Sequence, residues 1–142
     1  MDKVRGGKAI LNGFIAWLIG FIIYMIPSFA YAFWLAFQMV PTTTDYTAMS
    51  ARISQEVAAL YTGNWLLIGA LILIAALIIL WRARAVAMGT GGSRWINGLV
   101  VGAVPAVLSL VFVLCGGLGL DTVVTIVVYL GAGVVGGWLA RA

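Results

Sequence analysis

Residues 65–81 read Trp65-Leu66-Leu67-Ile68-Gly69-Ala70-Leu71-Ile72-Leu73-Ile74-Ala75-Ala76-Leu77-Ile78-Ile79-Leu80-Trp81, with Asn64 before the run and Arg82 after it. Between the two tryptophans there is no charge, amide or hydroxyl. A helix rises about 1.5 Å per residue, so the run covers roughly 25 Å, close to the ~30 Å of a hydrocarbon core. Three further apolar stretches flank it, at residues 9–28, 95–115 and 122–140. The whole chain agrees with them. Of its 142 residues 64% are hydrophobic and 8% charged, with a mean hydropathy of +1.15, against about 25% charged residues in a soluble domain. No soluble fold covers that much apolar surface, so the solvent is lipid.

The first stretch is too long for one straight span, because it stays apolar to about Val40 and is broken at Pro27. Residues 9–28 are expected to form the span, with Pro27 kinking it near the far interface. Phe29, Tyr31, Phe33, Trp34 and Phe37 then form a cluster of the kind that anchors at a membrane boundary. Residues 41–63 are the only substantial polar stretch. Within it Met49, Ile53, Val57, Leu60 and Tyr61 form a helical stripe, opposed by Arg52, Gln55 and Glu56. This predicts a short outer amphipathic helix, lying on lipid or folded as a lid on the protein's own helices.

The positive charges set the orientation. With four spans, one side collects Lys3, Arg5, Lys8, Arg82, Arg84, Arg94 and Arg141, and the other only Arg52 beside Asp45, Glu56 and Asp121. This places both termini in the cytoplasm of a multi-pass protein of the cell membrane, a bacterial plasma membrane in particular. The net charge of +4 is therefore a topology signal. It lacks the aromatic-interleaved basic patch of a nucleic-acid surface, and no nucleic-acid partner is expected. A cleavable signal peptide ending near Ala30-Tyr31-Ala32 is the competing reading of the amino terminus, but the apolar run is too long for one.

The halves 1–88 and 89–142 align. Gly6-Gly7-Lys8-Ala9-Ile10-Leu11-Asn12-Gly13 matches Gly91-Gly92-Ser93-Arg94-Trp95-Ile96-Asn97-Gly98, and Trp81-Arg82-Ala83-Arg84-Ala85 matches Trp138-Leu139-Ala140-Arg141-Ala142. Asn64 falls opposite Asp121, each expected to cap the helix that follows. The offsets of 85 and 57 differ by the 28 additional residues of the first half's outer connection. The expected fold is an all-α integral membrane protein of four transmembrane helices. They form two tandem helical hairpins related as a parallel internal repeat. Because the first span corresponds to the third, it is expected to be retained.

Composition also narrows the chemistry. There is no His, one Cys (Cys115) and four acids, Asp2, Asp45, Glu56 and Asp121. Metal, cofactor and triad chemistry of the usual kinds lack their residues, and no catalytic, cofactor or metal site is expected. No acid or base falls at mid-span, which argues against ion-coupled transport. Cys115 reads as a buried apolar thiol.

The candidate functional residues are few. Asn12 and Asn97 lie one turn into equivalent spans. They are expected either to bond helix backbone, or to meet near the axis and line a vestibule. Gly98 and Gly102, with Ala132, Gly133, Gly136 and Gly137, have the four-residue spacing of close helix packing, within the bundle or to a second copy. Trp81 and Trp138 are expected to end their helices at the interface, with Arg82, Arg84, Arg94 and Arg141 as basic anchors. Pro27 and Pro105 mark possible kinks around a cavity.

The Gly91-Gly92…Trp95-Ile96-Asn97-Gly98-Leu99 opening of span three and the Gly133…Gly136-Gly137 ending of span four resemble the small glycine-rich four-span bacterial membrane proteins of the YrzE-like type. That resemblance implies the span layout and carries over no functional residue. The leading expectation is a non-enzymatic accessory or assembly protein that acts through helix packing in the lipid bilayer. It would work as a homo-oligomer or as a subunit of a membrane complex. The alternative is a small passive channel or transporter working as a homodimer.

Overall fold

The computed structural model describes residues 5–40, 45–90, 93–114 and 120–140. Among these the chain is all-helical: α1 (Gly6–Met39), α2 (Tyr46–Tyr61), α3 (Trp65–Ala87), α4 (Arg94–Leu114) and α5 (Leu120–Trp138). Four of them, α1, α3, α4 and α5, are long and apolar enough to cross a membrane. Cys115, Arg141, and the paired glycines 91 and 92 lie outside the described residues.

Several boundaries differ from the sequence expectation. α1 runs unbroken through Pro27 to Met39, so the stretch expected as the first span is the first part of a longer helix. Its 34 residues make it about 51 Å long, well beyond one hydrocarbon core. α3 continues six residues past Trp81, so Arg82 and Arg84 are helical residues and not a tail beyond the interface. Asp121 lies inside the first turn of α5, where a carboxylate meets the positive end of the helix dipole without being the cap. Asn64 does cap, its Oδ1 accepting the Leu67 N–H at 3.2 Å. Asp45 caps α2 in the same way, accepting from Thr47 (3.0 Å) and Ala48 (3.2 Å). Gly63 and Gly89 follow α2 and α3 with φ of 75° and 70°, the left-handed position that closes a helix and admits glycine without strain.

The chain divides into two units, residues up to 20 with those from 72 onward, and residues 21–71. In the first unit the beginning of α1 packs beside both α3 and α4, and α5 packs beside both α4 and α3. Arg5 pairs with Asn97 and Gly13 meets Val101 and Val104, so α1 and α4 run parallel there. α4 and α5 run antiparallel, with Arg94 and Gly98 against Gly137, and Gly102 against Gly133 and Tyr129. The buried cluster is Ala9, Ala16, Ile79, Ala83, Val86 and Val101. Mostly small residues face inward, while Leu73, Ile74, Leu77 and Trp81 of α3 face outward. That distribution suits a lipid solvent, where bulk gains nothing by burial and close backbone approach supplies the attraction. Ile79 and Val86 are exceptions on α3 in this unit, 1% and 0% exposed.

Pro105 is fully buried in α4 and has no N–H for the carbonyl four residues back, that of Val101. Gly13 of α1 lies against that carbonyl; a Cβ at Gly13 would fall 2.8 Å from Val101 O. The glycine thus presents a Cα–H to the oxygen that the proline leaves without a donor, a contact worth about 0.5–1 kcal/mol.

In the second unit, α2 folds onto α1 through its last residue. Tyr61 stacks on Tyr24 with ring centroids 4.8 Å apart, and its hydroxyl donates to the Tyr24 carbonyl at 2.9 Å. With that proton committed, Ser28 Oγ donates to the Tyr61 oxygen at 2.7 Å. Pro27 lies between these two partners in sequence, so the hydroxyls reinforce the turn that the proline weakens. Met49, Ile53, Val57, Leu60 and Tyr61 are the half-buried side of α2, together with Glu56, and no α2 residue is fully buried. Tyr61→Phe keeps the ring and removes both hydroxyl bonds. We expect α2 amides in the full chain to exchange faster, with protection lowered by about 1–2 kcal/mol in hydrogen–deuterium exchange. Unchanged exchange would mean that ring stacking alone holds the helix.

Candidate functional site

One group of polar residues of the first unit lies where α1 begins, α3 ends, α4 begins and α5 ends. Asn97 is completely buried. Its Nδ2 donates to the Ser93 carbonyl at 3.1 Å, and its Oδ1 accepts the backbone N–H of Arg5 at 2.8 Å. It therefore serves its own helix start and also ties down the residue from which α1 begins. Asn12 makes the same local bond, Nδ2 donating to the Lys8 carbonyl at 2.9 Å. Its Oδ1 accepts from Arg82 Nη1 at 3.3 Å. The two asparagines do not bond each other. Each sends its amide nitrogen back four residues and its oxygen across to another segment.

Arg82 is the residue whose position sequence reasoning missed. It is half-buried, its guanidinium carbon 5.2 Å from the Trp81 ring, and its Nε is buried with no hydrogen-bond partner. A signal was available. Ala75, Ile79, Ala83 and Val86 form the inward stripe of α3, and residue 82 falls on the edge of that stripe at helical spacing. The expectation of an interfacial anchor took Trp81 as the helix end, which made residue 82 a solvated one. Arg84 is exposed, as are Trp81 and Trp138, and Trp138 does close its helix. Arg94 instead reaches across the bundle end, Nη1 donating to the Ala140 carbonyl at 2.7 Å.

The glycines bring α4 and α5 to backbone contact. A Cβ on Gly98 would strike the Gly133 carbonyl and lie 2.7 Å from Gly137 Cα; one on Gly133 would lie 2.9 Å from Gly102 Cα. Gly102 meets the Tyr129 carbonyl, and Gly137 that of Arg94. Gly136 faces α3, against the Leu80 carbonyl and Ala83, and Ala132 packs on the buried cluster. These small residues are thus occupied within the chain. A groove of about 620 Å³ lies between α1 and α4, lined by Gly7, Leu11 and Phe14 on one side and Val100, Val104 and Leu108 on the other. Its lining is apolar throughout, and no group of three or more metal-ligating side chains occurs among the described residues.

With this geometry in view, the chain was compared with known proteins: no family model, curated protein or solved structure matches it.

Two substitutions on one helix separate contact from propensity. Gly133→Ala forces backbone against backbone and is expected to destabilise by about 1–3 kcal/mol. Gly131→Ala, with nothing within 4 Å of its Cβ, is expected to be neutral or to stabilise by up to about 1 kcal/mol. Thermal or denaturant unfolding of the full chain in detergent reads both. In the same assay Asn97→Leu, which strands the Arg5 N–H, is expected to cost about 1–3 kcal/mol and Asn12→Leu less.

Proposed function

We propose that the chain is a non-enzymatic accessory or assembly protein of the bacterial plasma membrane, acting through helix packing with itself or within a larger complex. The observation that carries this reading is an aromatic ridge on α1. Phe29, Phe33 and Phe37 recur every four residues and are 58%, 64% and 78% exposed, with Trp34 beside them. Residues at that spacing share one helix face. Elsewhere along the same stretch Leu35 is buried and Ser28 is engaged by Tyr61. Twenty residues from Ala9 already span a bilayer, so the ridge begins where the hydrocarbon ends. A row of large exposed aromatics beyond the hydrocarbon favours a protein partner.

The same proposal holds both termini cytoplasmic, on the seven basic residues of that side, and the two hairpins as copies of one unit. The parallel course of α1 and α4 and the matched back-bonds of Asn12 and Asn97 support the duplication. Kinship with the glycine-rich four-span type belongs to it also, resting on the motifs quoted above. A passive solute path has less support, because the groove between α1 and α4 is apolar.

Native mass measurement after extraction in mild detergent tests the reading directly. The wild-type chain is expected as an oligomer or bound to another protein, and Phe33→Ser with Phe37→Ser is expected to release single chains. A wild-type chain that runs alone would sink the proposal. So would a double Asn12→Leu, Asn97→Leu variant that keeps its assembly and loses a measured solute flux, which would install the channel in its place.

A further inference from the structure

The opening of α1 reads Arg5-Gly6-Gly7-Lys8-Ala9-Ile10-Leu11, two cations around two glycines and then an apolar run. Asn97 Oδ1 accepts the Arg5 N–H at 2.8 Å, which holds this segment against the first turn of α4. The two helices then run parallel and touch where Gly13 meets Val101 and Val104. Beside that contact lies the groove of about 620 Å³, with Gly7, Leu11 and Phe14 on one wall and Val100, Val104 and Leu108 on the other. Leu11 and Phe14 are exposed, so the groove opens onto the outside of the unit. Nothing lies within 4 Å of a Cβ built at Gly7, which leaves the end toward Arg5 open as well.

Shape and charge together select an occupant. The wall residues cover about two turns of each helix, roughly 10–12 Å along the axes. α1 and α4 are both long and apolar enough to span, so the groove follows the direction in which acyl chains cross a leaflet. A helix with its side chains is about 10–12 Å across and overfills a trough of that volume over that length. A single file of CH₂ groups fits, and the lining is apolar throughout. At the open end Arg5 and Lys8 are exposed cations. Within this unit the one described acid, Asp121, opens α5, at the end of that helix away from the start of α4. A second copy of the chain would bring like charges to the same depth, which is repulsive. An anionic headgroup on an apolar chain matches both features.

We propose that the groove between α1 and α4 is a site for an anionic glycerophospholipid. One acyl chain lies against Leu11, Phe14, Val104 and Leu108, and the phosphate meets Arg5 and Lys8. The site is independent of the assembly role proposed above, which rests on the later part of α1.

The test uses the full chain extracted in mild detergent. Native mass measurement counts retained phosphatidylglycerol against phosphatidylcholine carrying the same acyl chains. The wild-type chain is expected to retain phosphatidylglycerol several-fold more. A double Arg5→Gln, Lys8→Gln variant is expected to lower that retention at least about tenfold, the scale of two basic residues at a lipid surface. It keeps the Arg5 N–H that Asn97 holds, so the packing of α1 on α4 is preserved. Leu11→Trp, which fills the groove and leaves the charges in place, is expected to lower retention several-fold, and it decides the matter should the double variant fail to fold. Arg84→Gln removes an exposed cation of α3, which does not line the groove, and is expected to behave as wild type. The proposal is overturned if the wild-type chain retains both lipids alike, if either groove variant matches wild type, or if Arg84→Gln loses as much as the double variant.

Discussion

Inside hydrocarbon a backbone carbonyl or N–H has no water to turn to, and most of the specific contacts in this chain answer that constraint. Pro105 removes the donor for the Val101 carbonyl, and Gly13 of the neighbouring helix supplies a Cα–H in its place. Pro27 weakens a turn of α1, and the Tyr61 hydroxyl donates to the adjoining Tyr24 carbonyl while accepting from Ser28 Oγ. Asn12 and Asn97 turn their amide nitrogens back onto the carbonyls of Lys8 and Ser93. Even Arg94 spends a guanidinium nitrogen on the carbonyl of Ala140. None of these bonds is strong by itself, at about 1 kcal/mol net. Together they permit two prolines inside apolar helices without a broken span.

The same constraint explains why glycine is so frequent. With no hydrophobic drive between helices, attraction comes from dispersion and from weak Cα–H contacts, both of which demand short separations. Gly98, Gly102, Gly133 and Gly137 let α4 and α5 meet backbone to backbone, and Gly136 does the same toward α3. Spending these residues inside the chain directs attention to bulkier surfaces for any partner. The exposed aromatic ridge of α1 is the surface on which the proposed assembly rests.

Much of the architecture was legible in the chain because it follows from one-dimensional patterns. Four apolar runs of span length specify four apolar helices, and the stripe at Met49, Ile53 and Val57 specifies a separate amphipathic one. One helix end differs: Trp81 has the local signature of an interfacial end, and α3 continues past it to Ala87. Arg82 follows from that difference: placed beyond the helix it would be solvated, while one turn inside it faces Asn12. The Tyr61 contact with Tyr24 and Ser28 was out of reach altogether, since 37 and 33 residues separate the partners and no periodicity links them.

The amino-acid sequence by itself determined the apolar character of the four long helices and the amphipathic character of the fifth, because hydropathy and its period are properties of the residues alone. It also offered the two asparagines as equivalent. Only the tertiary structure decided that they do different work across the bundle, one holding the start of α1 and the other steering a guanidinium. It likewise decided that the glycines are consumed between α4 and α5. Which atoms meet across helices depends on helix rotation and register, and a one-residue change in either turns a side chain by about 100°. No count of residues in a single chain contains that angle.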